Sequence, residues 1–110
     1  MTDFDEQIRQ LQQICPGAKL MTEGGLAFAF LPQLKFSSRG AAVQMDALLA
    51  PRGHSGYETR LFLDQQLPSI GVAWYQQQIL GRTWNAISWR GVPPDQAWPR
   101  ILAQHLRPLA

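Results

Sequence analysis

The sequence predicts an α+β fold in which helices cover one side of an antiparallel β-meander. Two amphipathic runs bracket the chain, residues 4–15 and 98–109, each with apolar residues at helical spacing. Between them, short alternating runs are separated by glycine- and proline-rich turns, the mark of antiparallel strands joined by tight connections. No internal repeat and no linker divides the 110 residues, so a single domain over 1–110 is expected.

The first helix is expected from Phe4, Ile8, Leu11 and Ile14 with Cys15, which recur among charged and amide residues. Asp3 and Glu6 form a capping-box pair, and acidic residues suit the first turn of a helix. Pro16-Gly17 ends the helix, which puts Cys15 in its last turn as a small packing residue. Runs 18–22 and 26–31 flank Glu23-Gly24-Gly25, a hairpin turn. Leu26, Phe28 and Phe30 make one strand face aromatic, while Ala27, Ala29 and Leu31 occupy the other. Pro32 is expected to end this strand, with a loop over 35–40. Residues 42–50 read as a longer strand, with Val43, Met45, Ala47 and Leu49 on one face and Gln44, Asp46 and Leu48 on the other. Residues 51–56 are the most turn-like run, 60–64 a brief strand and 65–71 a loop. Residues 72–80 are ambiguous, and 83–89 suit either a strand or one turn of helix. Proline at 99 is tolerated only in a first turn, so the last helix begins between Asp95 and Trp98. Phe28, Phe30, Met45, Leu49, Phe62 and Trp98 are expected in the core.

Composition excludes several functions. The net charge is +2 and the basic residues are scattered singly from Arg9 to Arg107, so no nucleic-acid stripe is expected. One cysteine permits neither an intrachain disulfide nor a cysteine-based metal site. His54 and His105 stand apart from any ligand at metal spacing, and the Gly24-Gly25 pair lacks the lysine of a phosphate loop. No metal or cofactor is expected. No run approaches the ~20 apolar residues of a membrane span, and the acidic, glutamine-rich start is unlike a secretory signal. A cytoplasmic location without membrane contact follows as the expectation. His54 lies in a proline- and glycine-rich loop with Ser55 and Tyr57 and reads as an exposed loop histidine. His105 reads as a flanking position on the last helix.

The stretch 81–98, GRTWNAISWRGVPPDQAW, holds three of the four tryptophans: Trp84, Trp89 and Trp98, with Trp74 just upstream. Each such ring hides roughly 150–250 Å² when buried. The cluster therefore reads as the lock between sheet, loop and last helix, its edges lining a groove.

Taken in order, this organisation resembles the ubiquitin-conjugating (E2/UBC) fold in its short bacterial form, and most the bacterial E2 family E. Leu31-Pro32, the strand at 42–50, the loop at 51–57 with its tyrosine and the strand at 60–63 follow the order of that family's second, third and fourth strands. Gly81-Arg82-Thr83-Trp84 is similar to a short motif recurring in family E. Trp98-Pro99 with Ile101, Leu102 and Leu106 resembles the start of the helix behind the active-site loop. The resemblance implies a four-stranded meander followed by an extended segment across the sheet edge.

It also implies a catalytic cysteine several residues upstream of that tryptophan, where this chain reads ISWRG over 87–91. The histidine–proline–asparagine triplet of classical members is reduced to Thr83-Trp84-Asn85, and Tyr57 lacks its following proline. A serine cannot match a thiolate near neutral pH without an activating base. The expectation is a catalytically inactive E2-like protein, with Trp89, Arg90, Gly91, His54 and Tyr57 as binding residues. The partners implied are a ubiquitin-like protein, an E1-like adenylating protein and a JAB-type peptidase. Two alternatives stand beside it. One is a conjugating enzyme that forms an oxyester on Ser88, with His54 or Asp95 as helper. The other is a small α+β interaction or adaptor protein unrelated to ubiquitin-like systems.

Overall fold

A computed structural model describes residues 4–71 and 73–110. The elements are α1 (Phe4–Gln12), β1 (Lys19–Glu23), β2 (Leu26–Ser38), β3 (Ala41–Ala50), β4 (Arg60–Leu63), β5 (Trp74–Ile79), β6 (Arg82–Ile87) and α2 (Trp98–Leu106), closed by a 3₁₀ turn at Arg107–Leu109. All six strands form one antiparallel sheet in the order β1-β2-β3-β4-β6-β5. The fold is α+β, with a meander through β4 and a β5–β6 hairpin whose second strand docks against β4. Among the described residues no helix is long and apolar enough to cross a membrane.

Strand alternation sorts the core into two layers. Ala29, Leu31, Met45, Ala47, Leu49, Leu61 and Leu63 pack under Ile8 and Leu11 of α1 and Trp98, Ile101 and Leu102 of α2. The opposite face carries Phe28, Leu48, Phe62, Ile79, Trp84 and Ala86, and no helix of the described residues covers it. The sheet hides that face by curling. A flat sheet would hold β1 and β6 roughly 19 Å apart, at about 4.8 Å per strand spacing. Instead the Leu80 amide in the β5–β6 turn donates to Glu23 Oε1 at the end of β1, at 2.7 Å. That turn has Leu80 at φ 54° and Gly81 at φ 77°, the two left-handed positions of a tight hairpin. Arg82 closes the concavity, its guanidinium 4.4 Å from the Trp84 ring and ion-paired with Asp64 at 2.7 Å and Asp46 at 3.3 Å.

Several sequence expectations are corrected. Helix α1 ends at Gln12, so Cys15 lies beyond it, in a turn where the Ile14 and Cys15 amides both donate to Leu11 O. Ile14 is 52% exposed and leaves the apolar face. Cys15 is buried, its thiol donating to Pro32 O at 3.2 Å, and burial raises its pKa. The Asp3 cap lies outside the described residues.

Pro32 does not end β2, and of the expected loop over 35–40 only Arg39-Gly40 is a turn: the strand runs on to Ser38 through a bulge between Leu31 and Leu34. A bulge needs no ladder N–H at the proline, and Asp46 Oδ1 takes the Gln33 amide at 2.9 Å. Phe30 is only half-buried. The ambiguous 72–80 contains strand β5 at Trp74–Ile79, and of 83–89, left open between strand and helical turn, the part to Ile87 belongs to strand β6 at Arg82–Ile87. Residues 82–87 are therefore an inner strand and not a segment across the sheet edge, because Trp84 fills the concave face. Met45, Leu49, Phe28, Phe62 and Trp98 are in the core as expected.

Trp84 is completely buried, with its indole N–H donating to Ile79 O at 3.1 Å. Trp84→Ala is expected to destabilise the domain by roughly 3–5 kcal/mol, read as a shift of the urea midpoint. Native Cys15 is expected to react with a thiol reagent far more slowly than after unfolding in urea.

Candidate functional site

Three segments meet at one end of the curled face: the loop over 51–59, the first residue of β4, and residues 88–92 after β6. The loop is tight. His54 and Tyr57 exchange backbone hydrogen bonds at 3.1 and 3.0 Å. Gly53 sits at φ 101°, and a Cβ there would lie 2.9 Å from Tyr57 O, so only glycine lets the chain fold back this closely. Folding back presents the Tyr57 side chain to the segment after β6.

Tyr57 is the hub. Its hydroxyl donates to Ser88 Oγ at 2.8 Å. Two guanidiniums lie over its ring, Arg60 at 4.2 Å and Arg90 at 4.4 Å from the centroid. The Ser88 hydrogen bond lowers the phenol pKa, and the Arg60 and Arg90 charges add to that against burial. Arg60 is 4% exposed and also lies 5.6 Å from the Phe62 ring, since alternation puts both on the curled face. Its Nε is wholly buried without a hydrogen-bond partner. Burial pushes its pKa down, yet a guanidinium stays charged in a folded protein.

Behind this cluster a buried triplet fixes the segment to α2. Thr59 Oγ1 donates to Val92 O at 2.8 Å and contacts His105 Nε2 at 2.8 Å. The hydroxyl has one proton and gives it to the carbonyl, so His105 donates from Nε2, and in the neutral imidazole this leaves Nδ1 bare. Burial lowers the His105 pKa to about 4, helped by the Arg60 charge. His105 is therefore a core residue and not a flanking one. Beside the triplet, a cleft of about 180 Å³ lies between Glu58-Thr59 and residues 89–92.

Of the residues expected to bind, Trp89, Arg90 and Gly91 are exposed along one ridge, and the half-buried Tyr57 reaches it through Ser88 and Arg90. His54 does not. It is half-buried, its ring 5.3 Å from Phe62 and 5.9 Å from Phe28, because the imidazole covers the end of the aromatic layer. Burial lowers its pKa, followed by Arg60, and its Nδ1 meets Ser55 Oγ at 2.6 Å.

Ser88 is exposed, and Tyr57 is its hydrogen-bond partner. Among the described residues neither His54 nor Asp95 bonds to it. Asn85 is committed elsewhere: its amide nitrogen donates to Leu63 O and Asp64 O at 3.3 and 3.1 Å, stitching β6 to β4. It is not free to stabilise an oxyanion. Trp98 anchors α2, its amide donating to Gln7 Oε1 at 2.8 Å.

Arg60, Thr59 and His105 are the residues sequence reasoning missed. Alternation pairs Arg60 with Phe62 in the short strand RLFL, and that was the available signal for an inward-facing charge. Nothing local announces the Thr59–His105 contact, which spans 46 residues. Among the described residues no cluster of three histidine, cysteine or carboxylate side chains is placed to hold a metal. The arrangement offers cations and hydroxyls to an anion.

His105 has a folded pKa of about 4 against an ordinary 6.5, so folding prefers its neutral form. Its contribution is full above the unfolded pKa and is lost as pH falls from 6.5 towards 4, on the order of 3 kcal/mol in all. His105→Leu is expected to flatten the fall of the urea midpoint across that window.

Comparison with known protein families, curated proteins and solved structures finds no match for the chain.

Proposed function

We propose that the chain is a non-catalytic E2-like protein of a bacterial ubiquitin-like modification system. It binds a ubiquitin-like modifier, or an E1-like or E2 partner, along the ridge of Trp89, Arg90 and Gly91 with Tyr57. The observation that carries the reading is the state of Ser88. It stands in the span where the resemblance calls for a thiol, and its partner is a phenol, with neither histidine nor carboxylate bonded to it. The ridge beside it has the composition of an interface, an arginine and a tryptophan 38% exposed over a packed core. The six strands are two more than the resemblance implies, and the β5–β6 hairpin accounts for both.

A second reading has one observation in its favour. Tyr57 Oη lies 2.8 Å from Ser88 Oγ, and with donor and acceptor exchanged a deprotonated phenol there would take the hydroxyl proton. In that case Ser88 would carry the modifier as an oxyester. One experiment separates the two: incubate the protein with a cognate E1-like protein, its modifier and ATP, then run a denaturing gel. The non-catalytic reading expects no adduct. An adduct that resists thiol reductant, yields to mild base and vanishes in Ser88→Ala would establish the oxyester. Under the first reading Arg90→Ala is expected to weaken modifier binding by about 2 kcal/mol, measured by calorimetry, with an unchanged urea midpoint.

A further inference from the structure

We infer that Arg60, Arg90, Tyr57 and Ser88 form a binding site for a carboxylate presented by a partner protein. The inference rests on reading this ridge as a binding face, and it names the chemical group that face receives.

Arg60 is the reason. It is 4% exposed in a strand whose other residues are Leu61, Phe62 and Leu63. No carboxylate pairs with it and no protein acceptor takes any of its N–H groups among the described residues, while Nε is sealed from water. A buried charge without a partner is costly, and an apolar side chain of similar size would serve packing better. Arg90 worsens the balance. It lies over the same ring and makes no ion pair among the described residues, so the two cations repel within a Debye length of roughly 8–10 Å. An anion within reach of both guanidiniums relieves both costs at once.

The donors are arranged for one. A ring beneath a guanidinium accepts no conventional hydrogen bond, so the planar fork of N–H groups stays unspent on both arginines. The Tyr57 hydroxyl spends its proton on Ser88 Oγ at 2.8 Å, which leaves the exposed Ser88 hydroxyl to donate. A carboxylate matches that fork with two parallel bonds and brings a single negative charge. Phosphate suits the site less well, because Glu58 lines the adjoining cleft and would repel a second charge. Nucleic acid suits it least, since the remaining basic residues are scattered. The cleft itself, walled by Trp89 and Val92, has room for a small apolar group beside the carboxylate.

The test uses the whole ¹⁵N-labelled chain at neutral pH and low salt, following the Arg60 and Arg90 Nε–Hε signals. The probes are N-acetylglycine, which carries a main-chain carboxylate, N-acetylaspartate amide, which carries only a side-chain one, and inorganic phosphate. Saturable shifts with a carboxylate are expected, and the tighter of the two probes tells a chain terminus from an acidic side chain. Arg60→Met and Arg90→Gln are each expected to weaken that binding about tenfold or more. Arg60→Met is also expected to keep or raise the urea midpoint, as removal of an uncompensated charge does.

Absence of saturation with both carboxylates overturns the inference, and so does tighter binding of phosphate. A lowered midpoint with unchanged carboxylate binding makes Arg60 a packing residue and overturns it too. Should Arg60→Met fail to fold, Arg90→Gln and Tyr57→Phe give the same reading. Carboxylate binding without modifier binding removes the modifier and keeps the site. Modifier binding that is indifferent to Arg60 and Arg90, with no carboxylate effect, removes this inference alone.

Discussion

Six strands give this chain two apolar sheet faces, and two short helices can cover only one. The rest of the structure follows from how the second face is hidden. Phe28, Phe62 and Trp84 are too large to leave in water, and the sheet encloses them by bending its far hairpin back to β1. The bend needs local permissions along the way. The bulge at Pro32 and Gln33 turns β2, Asp46 holds the bulge and Arg82 together, and Leu80-Gly81 closes the hairpin with the twist the curl requires. Remove the large side chains and the reason for the curl goes with them.

The curl also decides what stands at its mouth. One end is closed by Arg82 with two carboxylates, a balanced arrangement. The other end is closed by His54 and by Arg60, where no carboxylate answers the charge. The same device, an arginine laid across aromatic rings, serves as structure at one end and leaves a demand for an anion at the other. The Thr59, Val92 and His105 triplet keeps that second end in place by tying the segment after β6 to α2, so the site and the helix layer are coupled through one neutral histidine.

Much of the frame was legible in the residues because it is written in local periodicity. Phe4, Ile8 and Leu11 mark one helix, and Trp98, Ile101 and Leu102 the other. Val43, Met45, Ala47 and Leu49 face the helices, as alternation requires. What failed were positions where a distant partner decides. Pro32 looks like a strand end until Asp46 supplies the bond that makes a bulge affordable. His105 looks peripheral because its partner is Thr59, and Ile14 looks internal because the helical period is extended past the point where the chain turns. At the site, Tyr57, Arg90 and Ser88 could be named from order along the chain. Their convergence on Arg60 could not, since it depends on β4 and the segment after β6 approaching side by side.

The unequal lengths of β1 and β2 have a consequence for self-association. β1 pairs with β2 only from Leu26 to Phe30, so the other margin of β2 from Leu34 to Ser38 has no strand beside it. An exposed margin of that kind is a template on which a second chain can add a strand. Here the margin is interrupted at its root: Pro32 has no N–H to offer, its carbonyl is already taken by the Cys15 thiol, and the bulge throws the next residues out of a straight ladder. Lys35 then places a charge along the exposed run. The proline, the bulge and the charge together make this margin a poor template for another strand.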